Sequence, residues 1–322
     1  MSQASLFTAQ PLLGAEFPLP LDLPFTTGEA LEAGVTRRTL SRLTELGYLR
    51  RMLRGVYVAA QVVDSLELRA RALCRVVPRG AVVVDWTATW LYTGTLPFGQ
   101  HVEVPPVSIF RLPGHGRLRN QLCRSGDRTL RREDVQVIDG ITVTTPLRTA
   151  LDIGRLARRD DAIGGLDALL RTCTFSQAEL LSHVGRFRGH RGVVQLRELA
   201  PRADGRAQSP GESVLRLRWL DLPSLPPPEP QVPILDHTGR ERYWLDLGVR
   251  EIRFAAEYDG EEHHSDDADR EHDRRRRAWI EQQHGWVIQP VRRSNVFGVT
   301  RDVESLLIEG VARARRELGR PR

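Results

Sequence analysis

Between Thr26 and Ala60 the apolar positions fall first at helical spacing and then in alternation. Thr26 and Thr27 predict the cap of a short helix ending at Gly34. A second helix is expected from Thr36 to about Leu46, with Leu40, Leu43 and Leu46 on one face and Gly47 as its stop. The run YLRRMLRGVYVAA then reads as a hairpin with Arg54-Gly55 at the turn. Residues 1–25 are rich in proline and leucine without a period, and predict an irregular leader. Residues 61–200 read as a mixed α+β region: a helix over Ser65–Val77, a buried strand at Ala81–Val84 and a strand-rich stretch from His101 to Val143. Helices then start at Thr145-Pro146 and continue to Leu199, with breaks expected at Gly164–Gly165 and Gly185–Gly192. Residues 201–211 form a polar linker before a helix over Glu212–Leu220. The stretch LPSLPPPEPQVP reads as an extended connector. Two strands, ERYWLDLGV and EIRFAAEYDG, follow it, then a charged helix over Asp266–His284, a strand WVIQPV and a terminal helix over Val303–Glu317. The expected architecture is multi-domain α/β, with units at 26–60, 61–200 and 212–322. No repeat or heptad pattern interrupts it.

Composition narrows the class. The chain has 322 residues, too many for one ordinary core. No apolar run approaches the roughly 18–20 residues that span a bilayer. The start MSQASLFTAQPLLG lacks a basic n-region and a signal core, so the expected location is cytoplasmic. Cys74, Cys123 and Cys173 are widely spaced and odd in number, which argues against a disulfide framework or a zinc ribbon. The formal net charge is +6, and all 47 basic residues are arginine. Arginine-favouring base composition is the plainest cause. A permanently charged, bidentate donor nevertheless suits phosphate.

Charge placement suggests two sites. Along a strand, alternate side chains share a face, so Glu257 and Asp259 are expected together, with Asp246 beside them on the preceding strand. Three acids on one face repel unless a cation shares them, and carboxylate oxygens suit Mg2+ or Mn2+. That makes Asp246, Glu257 and Asp259 candidate metal ligands. His263 and His264 are candidate bases, and Arg270 with the run Arg274–Arg277, including Arg274 and Arg276, is a candidate phosphate contact. The same pattern also fits a solvated hairpin whose acidic edge balances an arginine-rich helix. At the other end, the stripe of Leu40 and Leu43 leaves Arg37, Arg38 and Arg42 on the remaining sides of their helix, with Arg50, Arg51 and Arg54 on the hairpin. Two short helices and a basic hairpin fit a winged helix-turn-helix on double-stranded DNA, or a small helical unit with solvated arginines. Arg148 and Asp152, four apart, read as a structural ion pair, and Trp86, Trp90 and Tyr92 as core rather than a base-stacking platform.

The segment GVTRRTLSRLTELGYLRRMLRGVYV resembles the N-terminal domain of AbiEi-type antitoxins of type IV toxin–antitoxin systems, and TTPLRTALD resembles part of their middle region. That resemblance implies a DNA-binding repressor of its own operon and a cognate toxin as partner. The C-terminal run WLDLG, EYDGEEHH, an acidic–arginine helix and GWVI is similar to the restriction-endonuclease-like PD-(D/E)xK superfamily, in its very-short-patch-repair branch. It implies Asp246, Glu257 and Asp259 as the acids, His263 as the branch histidine, Asp273 and Arg276 as its D-x-x-R pair, and Glu212 as the helical glutamate. One departure stands out: the lysine expected two residues after the glutamate is Asp259, and the chain has no lysine. The expected function is therefore a DNA-binding protein with a metal-dependent endonuclease domain that hydrolyses phosphodiesters. The alternative is a non-catalytic antitoxin-type transcriptional regulator whose nuclease-like domain only binds nucleic acid. RNA as substrate stays open.

Overall fold

The computed structural model describes residues 3–8, 10–96, 107–111, 123–126, 128–260 and 267–319. Among the described residues the chain is mixed α/β with three sheets. It divides into two compact units, Met1–Ile153 and Gly154–Arg322.

The first unit opens with α1 (Gln3–Phe7), β1 (Phe25–Thr26), α2 (Thr27–Glu32), α3 (Arg37–Glu45), β2 (Leu49–Leu53) and β3 (Val56–Ala59). The expected irregular leader is instead tied down. Leu13 and Phe17 are buried with Phe25, Leu40 and Leu43, since an apolar segment laid over a small core removes surface from water. The three strands form a sheet of order β1-β3-β2. A second sheet follows, with α4 (Leu66–Cys74), β4 (Ala81–Val83), α5 (Asp85–Thr93), β5 (Val107–Arg111), β6 (Cys123–Gly126), β7 (Val135–Ile138) and β8 (Ile141–Thr144). Its order is β6-β5-β4-β8-β7, and β4 runs parallel to β8. Met52, Leu53, Val56 and Val58 of the hairpin share one core with Leu73, Leu91, Ile109 and Val143. The N-terminal segment thus has a core of its own, with Phe25, Val35, Leu40, Leu43 and Leu49 in it, while other hairpin residues join the core of the second sheet across the boundary expected at residue 60.

The helix α6 (Pro146–Leu156) crosses from one unit to the next. The second unit continues with α7 (Arg159–Arg171), α8 (Gln177–Val184), α9 (Val193–Leu199) and α10 (Pro210–Leu220). No break falls at Gly164–Gly165. The helix α7 runs through both glycines, and a Cβ on Gly164 would meet Pro210 at 3.3 Å, so the bare backbone serves close packing rather than a turn. The last sheet holds β9 (Glu229–Leu235), β10 (Glu241–Val249), β11 (Phe254–Asp259) and, after α11 (Asp267–His284), β12 (Val287–Arg292); α12 (Arg293–Val296) and α13 (Val303–Leu318) close the chain. Its order is β12-β11-β10-β9, antiparallel except for the β11–β12 pair. The expected proline-rich connector is thus partly a strand. Pro230 and Pro233 lack donors, but β9 is an edge strand, where a missing amide breaks no ladder on the open side.

Candidate functional site

Two places carry the residues singled out by sequence. In the first unit, Thr26 and Glu29 form a reciprocal cap on α2: the Thr26 amide donates to Glu29 Oε2 at 2.7 Å and the Glu29 amide to Thr26 Oγ1 at 3.2 Å. The first of these bonds holds the Glu29 carboxyl below its ordinary range. Thr36 caps α3 by accepting from the Thr39 amide at 3.1 Å. Gln3 of α1 braces the same end, donating to Gly34 O at 2.7 Å and accepting from Thr39 Oγ1 at 2.8 Å. Leu40 and Leu43 are buried, while Arg37, Arg38 and Arg42 are exposed. Arg42 pairs with Glu45 at 3.3 Å across water-exposed side chains; such a pair contributes little and opens readily. On the hairpin, Arg51 and Arg54 are exposed. Arg50 differs: it is half-buried and donates to Val62 O at 3.1 Å, so it braces the hairpin base.

Arg148 and Asp152 are joined at 2.8 Å and nearly fully buried. Sequence did not reveal the rest of that network. Arg148 also reaches Asp134 at 2.6 Å, and Arg128 joins Asp85 at 2.6 Å to Asp152 at 2.9 Å. These partners lie far apart in the chain, so no local spacing marks them. With every charge paired, the network reads as structural.

In the second unit Glu212 (α10), Asp246 (β10) and Glu257 (β11) come near one another. Asp246 Oδ2 accepts the Tyr258 amide at 2.8 Å. Burial pushes the Asp246 carboxyl up to about 8, with the negative charges of Glu212 and Glu257 acting the same way; the Tyr258 amide and Arg276 oppose them. Glu212 is buried and accepts from the Gln208 amide at 2.9 Å and Gln231 Nε2 at 3.1 Å. Glu257 is 3% exposed, yet its counter-charge is not a metal ligand set. Arg276 Nη2 donates to both of its oxygens at 2.8 Å, and Arg277 Nε donates to Oε2 at 2.8 Å.

Of the expected trio Asp246, Glu257 and Asp259, the structure brings the first two near one another. Asp259 stands exposed at the end of β11. Among the described residues no three His, Cys, Asp or Glu side chains are grouped to hold a metal ion. Strand alternation predicts a shared side for Glu257 and Asp259, but it says nothing of what α11 lays over the first of them. His263 and His264 lie outside the described residues. Arg274 is exposed and pairs with Glu271, as does Arg275 at 2.9 Å. Arg276, expected at phosphate, is engaged with Glu257. No described helix is long and apolar enough to cross a membrane.

Comparison with known proteins adds three findings. Residues 24–60 match the family described as a transcriptional regulator, AbiEi antitoxin. Residues 81–202 match the AbiEi antitoxin C-terminal domain. Two uncharacterized proteins, from two strains of Mycobacterium tuberculosis, are each 36% identical over 257 residues, covering 80% of this chain and 90% of the relative.

Proposed function

Because the chain belongs to one family with these mycobacterial proteins and carries both AbiEi antitoxin segments, we propose that it is a DNA-binding transcriptional regulator of the antitoxin type. The observation that carries this reading is α3, with Leu40 and Leu43 buried beneath it and Arg37, Arg38 and Arg42 exposed, followed by Arg51 and Arg54 on the hairpin. A helix of this kind enters a major groove while the hairpin meets backbone phosphate. The chain is thus a winged helix-turn-helix reader of duplex DNA, and its second partner is a cognate toxin.

The test is a gel-shift series on DNA from upstream of the gene, in rising salt. Each phosphate neutralised contributes about −0.9 to the slope of log K against log salt. Arg38→Ala with Arg42→Ala should flatten that slope by about 2 without moving the unfolding midpoint. A wild-type affinity indifferent to salt would remove the reading.

A second reading, a metal-dependent endonuclease in the C-terminal unit, is favoured by the nearness of Glu212, Asp246 and Glu257. The Mg2+ or Mn2+ it needs does not fit the residues as arranged, since both Glu257 oxygens are held by arginine. Plasmid nicking with either ion, abolished in Asp246→Ala, would restore it.

A further inference from the structure

Glu212, Asp246 and Glu257 come from three separate elements, and the charges of Glu212 and Glu257 both act on Asp246. Glu212 and Glu257 are buried, and a buried carboxylate such as Glu257 needs a cation beside it. Two arginines supply it. Arg276 spans both oxygens of Glu257 with one nitrogen, and Arg277 adds a third bond from Nε, all at 2.8 Å. The arginine side chains are 18% and 24% exposed, and that of Glu257 only 4%. The remaining acids also have donors in place: the Tyr258 amide for Asp246, and the Gln208 amide with Gln231 for Glu212. Guanidinium stays charged at every pH the fold survives, so this neutralisation does not titrate away. A divalent ion reaching Glu257 would first have to displace two fixed cations.

We propose that Arg276 and Arg277 are the resident counter-cations of Glu257 and keep a divalent metal from it. The Glu257 end of the cluster is therefore a closed joint between α11 and β11 rather than a hydrolytic centre. This inference is independent of the N-terminal DNA reading, because its test reads metal uptake and not DNA.

The full chain would be titrated with manganese chloride, followed by electron paramagnetic resonance of free Mn2+ and by thermal unfolding. Wild type should take up no Mn2+ saturably and show no metal-dependent midpoint. Arg276→Met with Arg277→Met should unfold at lower temperature, bind one Mn2+ and regain several degrees with it. Adding Glu257→Gln to that double variant should abolish both effects. Saturable uptake by wild type that Glu257→Gln removes would overturn the proposal, as would a folded double variant indifferent to Mn2+. Should the double variant fail to fold, the wild-type titration against Glu257→Gln still decides.

Discussion

Asp246 shows how far a single residue can depend on neighbours distant in sequence. Burial, then Glu212 and Glu257, raise its carboxyl to about 8. A pKa raised on folding means that the folded chain binds the proton more tightly than the unfolded one. This contribution is fully present below about pH 4, and it is lost as pH rises through about 8. Within that window the loss is up to about 1.4 kcal/mol per pH unit. Asp246→Asn should therefore flatten the fall in stability between pH 4.5 and 8, read as urea midpoints; an unchanged slope would show that other groups carry it. Arg148 and Asp152 were legible as a pair because a helix fixes the geometry of i and i+4. Glu257 and Arg276 were not legible as a pair, since nineteen residues and a change of element separate them.

At the scale of elements, glycines report where helices are pressed against other structure and where they are free. In α10, a Cβ on Gly211 would lie 2.1 Å from the Tyr258 ring of β11. Either the ring must swing away from its place or α10 must shift off β11. Gly211→Ala should accordingly destabilise by about 1–3 kcal/mol. Gly28 in α2 has only Thr26 Oγ1 nearby, at 3.7 Å. Gly28→Ala should be neutral or stabilising by up to about 1 kcal/mol, because it removes backbone freedom from the unfolded chain. Chemical denaturation of the pair would check the opposite signs. Edge placement similarly explains β9: proline content argued for a connector, and only the strand's position in the sheet made those prolines acceptable.

For the molecule as a whole, the organisation follows shared cores rather than composition. The hairpin residues Met52, Leu53, Val56 and Val58 pack with Leu73, Leu91, Ile109 and Val143. A fragment of residues 1–60 would leave these apolar groups in water. Its own core of Phe25, Leu40 and Leu43 stays intact, so it should fold but unfold at a lower urea midpoint than residues 1–153; an equal midpoint would refute the contribution of the shared core. The proposed DNA reader is thus steadied by the region that follows it, which packs on the hairpin carrying Arg51 and Arg54.

Sequence by itself determined the local features: the cap at Thr26, the start of α3 near Thr36, the turn at Arg54-Gly55, the burial of Leu40 and Leu43 (though not of Leu46, which is exposed) and the arginines left on the other sides of α3. Each depends on residues within a few positions, where backbone geometry dictates who meets whom. It also placed Glu257 in a strand and arginines on the helix after it. Only the tertiary structure decided that these two meet, that Glu212 joins Asp246 while Asp259 stays exposed, and that β9 is a strand. Which charge neutralises a buried acid depends on which elements pack together. That is set by burial of apolar surface across the whole unit, and no local pattern of charges encodes it.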